Sequence, residues 1–184
     1  MVNLLHGQLV RLVAANADKD AETMARWSRD SEFGRLLDTD PIMPSSPAQS
    51  KEDIRKWMEN EDPTRFGFVM RALTDDTLLG FVGIGNISWT NGTGWASIGI
   101  GAREYWGKGY GTDAMRVLLR FAFTELNLLR VALNVFEYNP RAIKSYEKAG
   151  FKIEGCSRGV LNRDGKRYDA FEMGILRDEW ERDA

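Results

Sequence analysis

Three features of the 184-residue sequence predict a mixed α+β fold. Stretches in which apolar residues alternate are interleaved with stretches in which they recur at the helical period. Short polar or Asn-Gly connections join neighbouring strands as hairpins. The resulting order is strand, two helices, three strands, helix, strand, helix, two strands, the pattern of a mixed α+β domain.

Gln8 to Val13 alternates well enough for a first strand, with Leu9 and the Leu12-Val13 pair as its apolar contribution. Asp20 to Arg29 places Met24 and Trp27 at helical spacing behind the candidate cap Asp18, so a helix is expected; Trp27 is either a core anchor or a contact for a substrate. From Glu32 to Ser50 the prolines 41, 44 and 47 and the Ser45-Ser46 pair break any period, and a loop is expected. Ser50 should open the next helix, with Asp53 completing an approximate capping box and Ile54, Trp57 and Met58 forming the inward stripe.

Residues 66–73 and 78–89 are apolar runs joined by Thr74-Asp75-Asp76-Thr77, a hairpin connection. Asn91-Gly92 is the strongest short hairpin signal and makes Gly94 to Ala102 the next antiparallel strand. Beyond a glycine-rich turn, Met115, Leu118, Leu119, Ala122 and Leu126 recur with the helical period over Asp113 to Leu126, while Asp113, Arg116 and Arg120 should face away. Val131, Leu133 and Val135 alternate as a strand, and Asn139-Pro140 then supply the cap and first turn of a short helix to Ala149, closed by Gly150. Phe151 to Leu161 and Arg167 to Leu176 flank Asp164-Gly165 as a last hairpin.

Composition bounds the function. A content of 43% hydrophobic and 28% charged residues suits one globular domain over residues 1–184. With a formal charge of -2 there is no basic field to gather phosphate backbones, so nucleic acid is not expected as a partner. The single cysteine, Cys156, and single histidine, His6, leave no intramolecular disulfide and little for a metal. No apolar run approaches the roughly 20 residues of a membrane span, so a cytoplasmic protein without a membrane partner is expected.

The stretch Ile98-Gly99-Ile100-Gly101-Ala102-Arg103-Glu104-Tyr105-Trp106-Gly107-Lys108-Gly109-Tyr110-Gly111-Thr112 runs from a strand into a helix. The unpaired N–H groups of such a turn, at the positive end of a helix, favour an anion, and Lys108 adds charge beside them. The plainer reading is a flexible loop that only starts a helix. A nucleotide P-loop needs Gly-Lys-Ser/Thr, but Gly109 follows Lys108; a dinucleotide fingerprint needs Gly-x-Gly-x-x-Gly, but Gly107, Gly109 and Gly111 are spaced by two throughout. A pyrophosphate site of another kind remains.

Trp106-x-x-Gly109-x-Gly111 resembles the coenzyme A motif Gln/Arg-x-x-Gly-x-Gly/Ala of the GNAT N-acetyltransferase superfamily, except at its first position. Downstream, Asn139-Pro140-Arg141-Ala142, Tyr146, Lys148 and Gly150-Phe151 resemble the same family's Asn-x-x-Ala-x-x-x-Tyr-x-x-x-Gly-Phe pattern, and Leu9 to Leu12 with Asp20, Trp27 and Asp30 extends the likeness over nearly the whole chain. The wording of the glycine turn is similar to the branch that contains the ribosomal-protein-alanine N-acetyltransferases. This resemblance implies a mostly antiparallel sheet of about seven strands with helices on both faces. It also implies that the strands at 94–102 and 130–136 splay apart to hold the pantetheine arm. It implies acetyl-CoA as cofactor, contacted by Ile98, Ile100, Arg103, Trp106, Gly107, Lys108, Gly109, Tyr110, Gly111, Thr112, Asn134, Asn139, Arg141 and Tyr146. The acceptor is then a primary amine, a peptide N-terminal α-amine ahead of an aminoglycoside or polyamine, with a homodimer compatible. A non-catalytic acyl-CoA-binding module is the alternative of a different class.

Acetyl transfer from a thioester to an amine needs the thioester held, a neutral amine aligned, the oxyanion stabilised, and a proton for the thiolate. Tyr146 is the candidate acid, seven residues after Asn139 on one helical face; the plainer reading has Tyr146 packing in the core and Asn139 only capping. Many relatives carry a glutamate base where this chain has Ser97, leaving Glu172 or Glu137 as candidates through water. Glu32, Asp38 and Asp40 could line the amine's entry or simply face solvent.

Overall fold

In the computed structural model, which describes residues 3–58 and 62–183, seven strands form one sheet in the order β1-β2-β3-β4-β5-β7-β6. β1 (Val10–Val13), β2 (Phe66–Ala72), β3 (Leu78–Ser88) and β4 (Thr93–Ile100) pair antiparallel in succession. β5 (Arg130–Phe136), β7 (Lys166–Leu176) and β6 (Lys152–Arg163) do the same. The two halves meet where β4 and β5 run parallel, and they pair only from Thr93 opposite Arg130 to Trp95 opposite Ala132. Beyond Trp95, β4 keeps its bonds to β3 and has no strand partner on the other side among the described residues, so the sheet opens as a V. An open strand edge leaves backbone donors and acceptors free for a ligand.

Turn chemistry sets these registers. Gly92 takes φ 63° between β3 and β4, and Asp164 and Gly165 take φ 53° and 76° in the tight turn between β6 and β7, as expected for hairpin turns with positive φ.

Helices cover both faces. α4 (Tyr110–Thr124) buries Met115, Leu118, Leu119 and Ala122 against one face, together with Met70 and Leu79. On the other face α1 (Ala17–Trp27) and α3 (Pro47–Met58) enclose Ala21, Ile54 and Val69. Val69 and Met70 are neighbours on β2 and so point to opposite sides, which separates the two cores. α5 (Pro140–Lys148) starts beside α4, and α6 (Arg177–Asp183), which the sequence pattern does not announce, sets Trp180 against Phe123 at 5.4 Å.

Several boundaries depart from the sequence expectation, each because of a cap. Asn16, not Asp18, caps α1: its Oδ1 accepts from the N–H groups of Asp18 and Lys19, both at 3.1 Å. Within the stretch expected as loop lies α2 (Ser31–Leu37), capped by Asp30 through the amides of Glu32 and Phe33. Seven residues interrupted by Gly34 are too few to display a period. α3 starts at Pro47, with Ser46 Oγ accepting from the Gln49 amide at 3.1 Å; Ser50, the expected cap, is buried and shares a 2.6 Å hydrogen bond with Ser45. The side chain of Met58, assigned to the same stripe as Trp57, lies outside the described residues. Asp113 and Arg120 of α4 do not face away. Asp113 accepts from the amides of Gln8, Leu9 and Val10, and Arg120 donates to the carbonyls of Leu4 and His6, so both fasten the segment before β1 onto the helix. No helix among the described residues is long and apolar enough to cross a membrane.

Candidate active site

A cavity of about 780 Å³ occupies the V, walled by Ile98 to Ile100 of β4, the turn from Tyr105 to Thr112, and Asn139 to Lys148 of α5. Both α4 and α5 begin here, so their free N–H groups and positive dipole ends face the same space. Gly109 caps α4 in the left-handed region at φ 92°, and Gly107 precedes it at φ 73°, conformations that a side chain would strain. Gly111 has ordinary φ, and a Cβ there would sit 3.4 Å from Ile100 Cδ1 and 3.5 Å from Ser145 Oγ, in ordinary contact with the protein but inside the cavity wall. Ser145, which no motif pointed to, also shares a 2.8 Å hydrogen bond with Thr112 and joins α5 to α4.

The cavity gathers Ile98, Ile100, Trp106, Gly107, Gly109, Gly111, Thr112, Asn139, Arg141 and Tyr146. It does not gather Arg103, Lys108, Tyr110 or Asn134. Arg103 is drawn to the carboxylates of Asp30 and Glu32, and holds the Asp30 carboxyl below its ordinary pKa. Tyr110 packs edge-on against Tyr105 at 4.9 Å, and Lys108 is exposed. Asn134 lies on the exposed face of β5, opposite Glu172, because its neighbours Leu133 and Val135 take the buried face.

Trp106 stands where the motif has Gln or Arg. Its indole Nε1 donates to the Ile100 carbonyl at 2.6 Å, and its ring carries the Arg141 guanidinium at 3.8 Å. Burial lowers the Arg141 pKa, and the side chain has no hydrogen bond or ion pair among the described residues. An exposed cation without an ion-pair partner among the described residues therefore borders the cavity. Tyr146 is buried, and burial pushes its phenol up to about 12, which keeps it protonated at neutral pH. Its hydroxyl has no protein partner among the described residues. Asn139 caps α5 by accepting from the Ala142 amide at 3.2 Å, so it combines capping with a place on the wall.

Neither carboxylate proposed as a distant base reaches this space. Glu172 accepts from Arg130 at 3.1 Å and Glu137 from the Asp169 amide at 2.9 Å, and neither lines the cavity. Cross-strand and turn partners hold them.

A second cavity, of about 710 Å³, lies on the α1–α3 side and shares Phe33 and Leu37 of α2 with the first. β4 passes from one to the other: Trp95 to Ser97 line the second, and Ile98 to Ile100 the first. Trp27 both packs and lines. Its ring covers Gly101, where a Cβ would overlap it, and it also walls the second cavity beside Phe33. Asp38 and Asp40 border this cavity, whereas Glu32 is taken up by Arg103. The tip of the β6–β7 hairpin is latched onto α2, with Arg35 bidentate to Asp164 at 2.7 and 2.8 Å and Arg163 donating to the Asp38 carbonyl at 2.7 Å.

The sequence pattern of the acetyltransferase (GNAT) domain matches residues 10–152, from β1 into β6 and across both cavities. The chain belongs to the GNAT acetyltransferase family. It is accordingly an N-acetyltransferase that uses acetyl-CoA. The candidate ribosomal N-acetyltransferase YdaF of Bacillus subtilis (strain 168) is 33% identical over 139 residues, covering 75% of each chain. Spermidine N(1)-acetyltransferase of Escherichia coli (strain K12) is 35% identical over 77 residues, 42% of this chain and 41% of that one. The crystal structure of spermidine N-acetyltransferase from Vibrio cholerae in complex with CoA and spermine shares the fold, with a TM-score of 0.80 at 24% identity over 94% of this chain and 98% of that one. The V of this GNAT domain suits the family's cofactor: two helix N-termini and the unpaired Arg141 offer an anion site, and only glycine at 111 leaves the wall clear.

Proposed function

We propose that this chain, acting as one domain over residues 1–184, transfers the acetyl group of acetyl-CoA to the α-amine of a peptide or to another amine of modest pKa. The observation that carries this reading is the junction at Phe33 and Leu37, where a cavity suited to the cofactor opens onto a second cavity along the same strand. When bound, acetyl-CoA supplies an activated thioester. The amides of residues 107–112 and the Arg141 guanidinium hold its diphosphate, and the unpaired edge of β4 near Ile98 and Ile100 polarises the reacting carbonyl. Tyr146 donates its phenolic proton to the departing sulfur.

The acceptor follows from the missing base. Ser97 stands on β4 where the second cavity reaches the junction, so no β4 carboxylate awaits the amine. An amine near pKa 7.8 is neutral about a tenth of the time at pH 7, whereas one near 10.4 is neutral in only about one molecule in two or three thousand. The likeness to YdaF supports a peptide α-amine. The likeness to spermidine N(1)-acetyltransferase, over less than half of this chain, favours a polyamine as the second reading. The exposed Cys156, free of any disulfide, suits the cytoplasm. The test offers acetyl-CoA with a peptide carrying both a free α-amine and a lysine, and maps the product by fragment mass. Acetylation of the α-amine is expected; acetylation confined to the lysine would overturn the assignment.

A further inference from the structure

We infer that the acceptor amine sits beside a bulky apolar side chain, and that a polyamine is a poor substrate. This inference rests on the acetyl-transfer reading above, because it takes the second cavity as the acceptor's. The interior of that cavity is walled by Trp27, Phe33, Trp57, Phe81 and Trp95, aromatic surfaces brought from α1, α2, α3, β3 and β4. Its charged neighbours are Asp38, Asp40, Asp53 and Arg65, and all four are exposed residues at the mouth. Asp38 accepts from the Thr39 amide at 2.6 Å, Asp53 accepts from Gln49 at 2.8 Å, and Arg65 brings an opposing charge.

The chemistry of the walls separates the two acceptor classes. A polyamine carries an ammonium every few methylenes, and an extended one would have to leave at least one of them deep in the cavity, where the rings leave only the neutral side-chain acceptors Ser28, Ser45, Ser50, Asn86 and Ser97 in place of water. Desolvating an unpaired ammonium costs several-fold more than any apolar contact returns. A peptide amine has one nitrogen to bring to the junction at Ser97 and Ile98, and an adjacent large side chain can fill the rest of the 710 Å³. Complete burial of such a side chain raises kcat/KM by about tenfold to a hundredfold over glycine at the same position.

The same wall contains a position with room for a Cβ. At Gly85 of β3 an added Cβ would meet nothing closer than Arg65 at 4.0 Å, and its φ lies outside the left-handed region. Gly85→Val therefore puts two methyl groups into the cavity in a residue type that strands favour.

The experiment compares kcat/KM by thiol release for pentapeptides differing only in the first residue, phenylalanine, leucine, glycine or aspartate, and for spermidine, with the parent and with Gly85→Val. The phenylalanine or leucine peptide should lead by about tenfold or more, and Gly85→Val should shrink that lead, while its acetyl-CoA-induced rise in Tm reports an intact fold and cofactor cleft. Spermidine or the glycine peptide turned over as fast as the phenylalanine peptide would overturn the inference and leave acetyl transfer standing. No thiol release with any amine, despite a Tm rise with acetyl-CoA, would overturn the acetyl-transfer reading and this inference with it. A parent-like preference in a folded Gly85→Val would remove the bulky group from this cavity and so overturn the inference.

Discussion

The cofactor cleft takes most of its wall from two contiguous runs, residues 98–113 and 139–148, whereas the neighbouring cavity is assembled from α1, α2, α3, β2, β3 and β4. In the cleft the working parts are backbone amides at helix starts, glycines that keep the space clear, and a few side chains such as Tyr146 and Arg141. In the cavity they are side-chain surfaces with little backbone chemistry. Backbone sites demand particular residues at fixed spacing, because only glycine tolerates φ 92° and only a short polar side chain caps a helix. Surface sites demand only shape and polarity, which many residue types can supply. One side can therefore be held constant while the other varies, and perturbing each should give a different signature.

The largest effect is expected at Tyr146, where the comparison is sharpest because the residue does chemistry rather than shape. Tyr146→Phe keeps the ring among its neighbours and removes the one oxygen that can protonate the sulfur. A fall in kcat of about a hundredfold to ten-thousandfold is expected, with the acetyl-CoA dissociation constant unchanged. A thiolate with a reference pKa near 8.5 leaves tolerably without help, which sets the lower end of the range. If kcat stays within about threefold of the parent where chemistry limits turnover, Tyr146 is a packing residue and water protonates the sulfur.

Next comes the glycine wall. Gly111→Ala places one methyl where the protein has room, 3.4 Å from Ile100 Cδ1, so the fold should survive and only the ligand should object. At a hundredfold excess over its dissociation constant, acetyl-CoA should stabilise the parent by about 2.7 kcal/mol, several degrees in Tm, and that shift should vanish in the variant. Gly109→Val should lose it too, and should also lower the Tm without ligand, because its backbone sits at φ 92°. A full shift in folded Gly111→Ala would move the diphosphate away from this turn.

What could be read from the sequence divides along the same line. The succession of strands along the chain, the glycine turn, and the Asn139 and Tyr146 pair could be recognised because turns, caps and glycines leave local marks, whereas the way the strands pair came only with the family resemblance. α2 could not, since seven residues around Gly34 show no period, and with α2 went Phe33 and Leu37, the two side chains common to both cavities. Ser145 was equally silent: a serine mid-helix becomes a wall residue only because α5 lies against Thr112. Arg103 and Asn134 sit close in sequence to true wall positions. Ion pairing with the distant Asp30 turns Arg103 elsewhere, and the alternation of β5, with Leu133 and Val135 buried, turns Asn134.

A smaller effect tests the chemistry of the acceptor side. With no β4 carboxylate, kcat/KM for a peptide should climb about tenfold per pH unit up to the amine's pKa near 7.8, since only neutral amine reacts. Ser97 is exposed and lines the cavity, so Ser97→Glu introduces a base without displacing core. The acid limb should flatten, with a gain of about tenfold at pH 6.5, below the general-base range because the new carboxylate is unpositioned. A profile for the parent that is already flat between pH 6 and 8 would show that a base exists which the geometry does not reveal.

The smallest effect lies at the boundary between the two regions, in the ion pair that keeps Arg103 out of the cleft. Asp30 caps α2 through the amides of Glu32 and Phe33 and also receives Arg103, whose hydrogen bonds, followed by the cap, hold its carboxyl below the ordinary 3.8. A carboxyl with a depressed folded pKa stabilises the protein fully above its unfolded value, and that contribution fades as pH falls through the folded pKa. Asp30→Asn retains an oxygen for the cap and removes the charge, so the two contributions separate. Near neutral pH the variant should melt about one or two degrees below the parent, a small gap because Arg103 is largely solvated and its pairing is screened. As pH falls below about 4 the parent loses the same charge by protonation, and the two melting curves should converge. A gap that stays constant from pH 7 to pH 3 would assign the value of Asp30 to the geometry of the α2 cap, and the Arg103 guanidinium, 5.0 Å from the Trp106 ring centroid, would then owe little of its place to Asp30.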